Sequence, residues 1–302
     1  MVKVGTYVFG ALPFEERLIA IKNAGFDFVA LGLDLFESGE LEDAVKICEK
    51  QGAVIDNIHL TGKSTTDIWK LGSEGDEICE RYCKEIKRAS DAGIHVGVAH
   101  ITWGHDIPEP INATSLDRFT KIAECAEKNG FVLGLENSVY PEYLYATMEH
   151  LKDYSSIGFT FDTGHRNAFA PDHDFLKVFG DKLVVTHIAD NDAANDLHLM
   201  PTDGTVNWKQ VAAELAKTPV GRDRILAEPT LGKFKKIKGK SADEIREHML
   251  RLPISNEPEI LTFEDGKFAA YKQLTYEQKM ERLYTKMKNV AAMIEEEIEK
   301  NK

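Results

Sequence analysis

Short, almost unbroken apolar runs alternate along this chain with longer stretches whose apolar positions recur every three or four residues. The first kind of segment suits a strand buried on both faces, the second an amphipathic helix. KVGTYVFG (3–10) precedes PFEERLIAIKNAG (13–25), and FDFVALGLDL (26–35) precedes ELEDAVKICEKQG (40–52). AVIDNIHL (53–60) is followed by a polar loop and EGDEICERYCKEIKRASDAG (74–93), and IHVGVAHITW (94–103) by SLDRFTKIAECAEKNG (115–130). FVLGLENS (131–138) leads to PEYLYATMEHLKDY (141–154), GFTFDTG (158–164) to DFLKVFGDK (174–182), and LVVTHIAD (183–190) to VNWKQVAAELAK (206–217). RILAEPT (224–230) closes the series. Pro13 suits a first helical turn, Ser115 offers an N-cap oxygen, and Gly25 and Gly52 suit helix ends.

The expected fold class is α/β: eight strands, each followed by a helix, in a single (β/α)8 TIM barrel. Alternation alone also fits an open doubly wound sheet. Eight units with no GxGxxG after the first strand favour the closed barrel. The last unit is irregular, because residues 231–274 separate strand 8 from the final helix. That insertion opens with a basic cluster, LGKFKKIKGK, expected as a solvated face, and a phosphate or a partner chain is its other use. Within it, Asp265-Gly266 between two alternating segments signals a hairpin. From about Tyr276, one stripe carries Met280, Leu283, Tyr284, Met287, Val290, Ile294 and Ile298, as a core-facing helix requires. The reading is one domain over 1–302, with 231–274 as a lid or a contact between subunits in a homo-oligomer.

A chain of 302 residues with a formal net charge of −13 can bury a large core, and it lacks the basic stripe of a nucleic-acid binder. Nucleic acid is therefore not the expected partner. No apolar run is long enough for a membrane span, and no signal-peptide pattern opens the sequence. The four cysteines, Cys48, Cys79, Cys83 and Cys125, lie in helical segments without disulfide spacing, so reduced thiols and a cytoplasmic location are expected.

The chemistry sits at the ends of the apolar runs. His59 follows strand 3, His100 strand 4, Glu136 strand 5, Asp162 and His165 strand 6, and His187 strand 7; Asp196 and His198 come from the next loop, and Glu228 follows strand 8. Strand C-termini converge on one mouth in a barrel, so all of these reach one cavity. Imidazole and carboxylate ligate divalent metals, and a lone buried carboxylate costs several kcal/mol unless paired, protonated or metal-bound. Trp103 and Trp69 could stack on a ligand or simply pack. Lys63 and Arg166 are candidate contacts for an anion or a hydroxyl. Asp190 and Asn191 could orient His187.

LENS, FDTGH, THIADND and AEPT, with DLHLMPTDGTVNW after the seventh run, resemble the xylose-isomerase-like barrel superfamily, over roughly residues 1–230 and the last helix. That group includes sugar epimerases related to D-tagatose 3-epimerase, inosose dehydratases and endonuclease IV. The epimerase resemblance implies one divalent metal on Glu136, Asp162, His187 and Glu228, with Glu136 and Glu228 as the acid/base pair. The implied reaction is isomerisation or epimerisation of a sugar, polyol or keto-sugar, by proton abstraction beside a carbonyl through a metal-stabilised enediolate. Mn²⁺, Mg²⁺ or Co²⁺ suits that carboxylate-rich set. His59, His100, His165, Asp196 and His198 would then touch substrate.

The nuclease resemblance instead implies three zinc ions on all nine residues and a phosphodiesterase. Thr202 and Asp203 depart from the PGxG of the sugar enzymes, and the strand-7 loop lacks an arginine that some ketohexose epimerases carry. An inosose-dehydratase-like lyase and a non-catalytic sugar-binding barrel are the remaining alternatives.

Overall fold

The computed structural model describes residues 1–302. Strands β1 (Lys3–Tyr7), β2 (Phe28–Leu31), β3 (Ile55–His59), β4 (Val96–Ala99), β5 (Val132–Glu136), β6 (Ile157–Asp162), β7 (Leu183–His187) and β8 (Arg224–Ala227) form one sheet. Its order is β7-β6-β5-β4-β3-β2-β1-β8, and every named pair is parallel. The seam between β7 and β8 is drawn shut just past the strand ends. There Ile188 N–H donates to the Leu226 carbonyl at 2.8 Å, and Glu228 N–H donates to the Ile188 carbonyl at 3.1 Å. The result is a nearly closed (β/α)8 barrel, and an open doubly wound sheet is ruled out.

Helices α1 (Phe14–Ala24), α2 (Asp34–Ser38), α3 (Leu41–Lys50), α4 (Ser73–Asp91), α5 (Ala113–Lys128), α6 (Pro141–His150), α7 (Thr163–Phe169), α8 (Phe175–Phe179), α9 (Trp208–Leu215) and α10 (Pro219–Asp223) fill the connections. Two local expectations change. Asn112, not Ser115, caps α5, its side chain accepting from Ser115 N–H at 2.9 Å. After β6 the chain turns directly into α7, because the Asp162 carboxylate caps that helix by accepting from His165 N–H.

The period-2 alternation of a strand sorts the core into two layers. Ile58, Leu133, Leu135, Phe159, Phe161 and Ile225 face outward into the large core shared with the helices. Tyr7, Phe28, Ala30, Val98, Val185 and Leu226 form a small separate core inside the barrel. Space there is tight: a Cβ on Gly134 would fall 2.2 Å from Thr160 Oγ1. The same alternation that buries Leu133 and Leu135 turns Glu136 inward.

Beyond β8, residues 231–274 contain α11 (Ala242–Met249) and an antiparallel hairpin, β9 (Leu261–Glu264) and β10 (Lys267–Ala270). Asp265 and Gly266 have φ of 48° and 66°, the left-handed pair that a type I′ turn needs. The insertion braces the loop that follows β7. His248 lies 2.6 Å from Asp192, and Tyr271 O–H donates to Asp203 at 2.7 Å. Asp203 also faces Lys286 at 2.7 Å and Arg282 at 3.2 Å on the final helix α12 (Tyr276–Lys300). One buried carboxylate thus ties loop, insertion and last helix together.

The basic cluster is only partly solvated. Lys233, Lys236, Lys238 and Lys240 are exposed, but Lys235 is half-buried. All four cysteines are free thiols, and no helix is long and apolar enough to cross a membrane.

Removing the shared carboxylate should leave two largely buried cations short of a partner. Asp203→Ala is expected to lower the unfolding free energy by about 3 kcal/mol in denaturant titration, and a loss below about 1 kcal/mol would contradict this role.

Candidate metal centre

Six inward-facing positions at the strand ends, with three more from adjacent segments, gather at one end of the barrel. His59, His100, Glu136, Asp162, His165, His187, Asp196, His198 and Glu228 form one connected cluster. Glu136 is wholly buried at its centre. Its Oε1 lies 3.1 Å from His187 Nδ1 and 3.2 Å from His165 Nδ1, and its Oε2 lies 2.9 Å from His100 Nε2 and 3.5 Å from His59 Nε2. His187 Nδ1 is 2.9 Å from Glu228 Oε2 and 4.0 Å from Asp162 Oδ2. Asp196 Oδ2 lies 2.8 Å from His198 Nε2 and 3.6 Å from His165 Nε2.

The far nitrogen of three imidazoles is held in a way that fixes the tautomer. His59 Nδ1–H donates to the Leu60 carbonyl at 2.7 Å, and His198 Nδ1–H donates to the Glu228 carbonyl at 2.8 Å. His187 Nε2–H donates to the Tyr7 hydroxyl at 2.9 Å, and that hydroxyl donates onward to Asn57 Oδ1 at 3.3 Å. In each case the remaining ring nitrogen faces a carboxylate oxygen, where a proton or a metal ion can sit between the two. Two acceptors repel unless a proton or a cation lies between them.

Asp162 Oδ2 is, moreover, buried without a hydrogen-bond partner, and Glu136 Oε2, although 2.9 Å from His100 Nε2, receives no well-aligned hydrogen bond. Oxygen and imidazole donors with their lone pairs converging suit a divalent transition metal. Three sets have ligand atoms all within 4.8 Å of one another: Glu136–Asp162–His187–Glu228, His59–Glu136–His187, and His165–Asp196–His198.

Burial by itself pushes every carboxyl here up. For Glu228 the adjacent His187 overcomes burial and holds the group down at about 2. Asp162 is pushed up to about 6 by burial, which His165 only partly offsets. Burial lowers His100, whereas Asp196 overcomes burial at His198 and lifts it to about 8.

The remaining candidates divide. Trp103 stands at the rim, 36% exposed, its ring 5.2 Å from His100 and packed over Gly62, where a Cβ would fall 2.1 Å from the indole. Trp69 is fully buried against Tyr143 and Phe119 and donates to the Ile101 carbonyl, so its role is packing. Arg166 is engaged by Glu214 and by the Phe161 ring, not by any residue of the cluster. Lys63 is exposed and lines a cleft of about 370 Å³ with Arg81, Lys84 and Arg88. Asp190 accepts from Trp208 Nε1–H and Val206 N–H, both at 2.9 Å, and so shapes the β7 loop instead of orienting His187. Asn191 donates to the Gly164 carbonyl at 2.6 Å.

The residue that does orient His187 is Tyr7 on β1, reached across β8 where the seam closes. Asn137 was also missed, although it stands in LENS: it donates to the Asp162 carbonyl at 2.9 Å and accepts from Asp162 N–H at 2.8 Å. No spacing along the chain announces Tyr7, which meets His187 only because the barrel closes.

The model of the xylose isomerase-like TIM barrel family matches residues 18–251. The Methanocaldococcus jannaschii protein MJ1311 is 27% identical over 145 residues, a match covering 44% of this chain and 48% of that protein. The chain therefore spans about half the length of that relative. D-psicose 3-epimerase from Clostridium cellulolyticum H10 has a similar structure, with a TM-score of 0.67 at 13% identity over 98% of this chain and 99% of that one. An L-ribulose 3-epimerase is likewise similar, with a TM-score of 0.69 at 16% identity over 100% and 97% of the two chains. At such identities the likeness concerns the fold.

Tyr7→Phe removes the hydroxyl that holds His187. Divalent-metal affinity is expected to fall about 10-fold in competition with a chelator, and an unchanged affinity would remove Tyr7 from that role.

Proposed function

We propose, from the premise that this chain belongs to the xylose isomerase-like TIM barrel family, that it is a divalent-metal-dependent sugar isomerase or epimerase. The observation that carries this reading is the placement of two glutamates on one imidazole, with Glu136 Oε1 at 3.1 Å and Glu228 Oε2 at 2.9 Å from His187 Nδ1. Asp162 completes a four-residue set able to hold a single cation. The fold likeness to D-psicose and L-ribulose 3-epimerases supports the same class of substrate, a small keto-sugar.

When bound, a divalent cation would draw charge from the carbonyl and hydroxyl oxygens and so acidify the C–H beside the carbonyl. The protein's own groups would do the rest. One glutamate takes the proton from that carbon, and the electron pair of the broken C–H bond moves toward the carbonyl oxygen. The other glutamate, which must enter the step protonated, returns its proton to the opposite face in epimerisation, and the first glutamate keeps the proton it removed. His59, His100 and Trp103 line the side of β3 and β4, where they would hold hydroxyls and a sugar face. The unpaired thiols fit a cytoplasmic enzyme.

A second reading rests on a specific observation. His165, Asp196 and His198 make a separate metal-competent set, whereas His59–Glu136–His187 shares Glu136 and His187 with the four-residue set. Occupation of more than one set would suit a phosphodiesterase of the endonuclease IV kind, although a net charge of −13 opposes a DNA substrate.

Metal content decides between the two readings. The isomerase reading expects one tightly held ion per chain, whereas three zinc ions with cleavage of abasic DNA would overturn it. Asp162→Ala should lose the ion on dialysis, and full retention would remove Asp162 from the ligand set. Solvent deuterium should enter the carbon beside the carbonyl of a substrate ketose. Glu228→Gln should cut that exchange by about 10²-fold or more with the fold intact, and exchange at the wild-type rate would exclude Glu228 as an acid or base.

A further inference from the structure

The insertion brings one cation to the edge of this cluster. Lys235 sits where its backbone is fixed on both sides: its N–H donates to the Phe268 carbonyl at 2.7 Å, and its carbonyl accepts from Phe268 N–H at 2.9 Å. These bonds join the segment after β8 to the hairpin strand β10. From there the side chain reaches the loop after β7, where Nζ donates to the Asp196 backbone carbonyl at 2.8 Å. Asp196 is itself bonded to His198, so the ammonium stands beside the His165–Asp196–His198 edge of the site.

What Lys235 lacks is a counter-ion. The other cations packed against the β7 loop are paired, Arg282 with Asp203 and Glu257, and Lys286 with Asp203. Lys235 makes no ion pair, and its one hydrogen bond goes to a neutral carbonyl. An ammonium has three N–H donors and no acceptor, so two donors of a half-buried group remain for something else. The nearby carboxylates of Asp196 and Glu228 already face imidazoles.

We propose that Lys235 is the contact for an anionic substituent of the substrate, a phosphate or a carboxylate, so that the enzyme acts on acidic keto-sugars in preference to neutral ketoses. This rests on the isomerase reading above and names the substrate class of that same site. It departs from the neutral ketoses in the names of the structural relatives. The physical reason lies in this chain's insertion: an ammonium held by a backbone bridge, with donors unspent, is a preorganised anion contact.

Two experiments on the metal-reconstituted protein test it. The first titrates inorganic phosphate by calorimetry at constant ionic strength into wild type, Lys235→Met, Lys235→Arg and, as an exposed control, Lys238→Met. Phosphate should bind about 10-fold more weakly to K235M, with K238M unchanged and K235R close to wild type. Equal binding by wild type and K235M overturns the proposal, as does an equal loss in K238M.

The second experiment follows deuterium entry from solvent into D-ribulose 5-phosphate and D-fructuronate, beside D-ribulose and D-fructose. The proposal expects at least about a 10-fold higher kcat/KM for an acidic ketose, and the phosphate or carboxylate arm identifies which anion is used. K235M should lose that preference through KM with kcat retained. Neutral ketoses exchanging as well as both acidic ones overturns the proposal. Exchange into no ketose at all sinks the isomerase reading instead, and the phosphate titration still decides the role of Lys235.

Discussion

The carboxylate of Glu136 is the group on which the rest of the site depends. It has no access to solvent, and four histidines bring a ring nitrogen within 3.5 Å of it. Burying one charged carboxylate costs several kcal/mol, and Asp162 and Glu228 lie in the same cluster. A protein accepts such an arrangement only where cations, whether protons on the imidazoles or metal ions between them, offset the repulsion. The fold commits to that outcome before any ligand arrives. Leu60 and Glu228 carbonyls and the Tyr7 hydroxyl take up the far ring nitrogens, which leaves the near ones facing oxygen.

That commitment depends on the barrel being shut. His187 and Glu228 end the two strands that meet last, and the hydrogen bonds closing their seam run through Ile188 and Glu228 themselves. A break there would separate the two carboxylates that share His187 and would detach Tyr7 from it. Stability of the seam and integrity of the site are therefore one quantity. Asp203 extends the same logic outward, because its bonds to Tyr271, Arg282 and Lys286 anchor the loop that carries Asp196 and His198.

Much of this was legible in the sequence, for a physical reason. A strand buried on both faces reads as an apolar run, so a single His, Asp or Glu at its end stands out against its surroundings, as Glu136 does in VLGLE. Barrel geometry then converts a series along the chain into a cluster in space, and all nine strand-end candidates meet. The failures have a physical reason too. Arg166 lies on a segment that faces the helical layer, and a residue's type does not say which layer receives it; for Trp69 the packing alternative holds. Tyr7 acts past β8 at the closing seam and Lys235 out of an insertion, so no local period reports them. Asp190, next but two to a ligand candidate, spends its oxygens on its own loop.

Charge balance links the number of metals to the kind of substrate. Three carboxylates around one dication leave one negative charge inside the barrel, with the Lys235 ammonium unpaired at its edge. Asp196 stays a carboxylate, balanced by the proton it holds on His198, which it lifts to about 8 against burial. His165 is also lifted well above the usual imidazole value, its carboxylate neighbours Asp162 and Asp196 overcoming burial, so the mouth tolerates an acidic ligand held by the ammonium. Filling the His165–Asp196–His198 set with a second dication replaces that proton by a larger charge and makes the same mouth positive, which favours a phosphodiester or another strong anion. Lys235 favours an anion in either state. The residues inside the barrel decide what reaction is run, while the loop and insertion at the β7–β8 side decide what charge the substrate must carry to reach it.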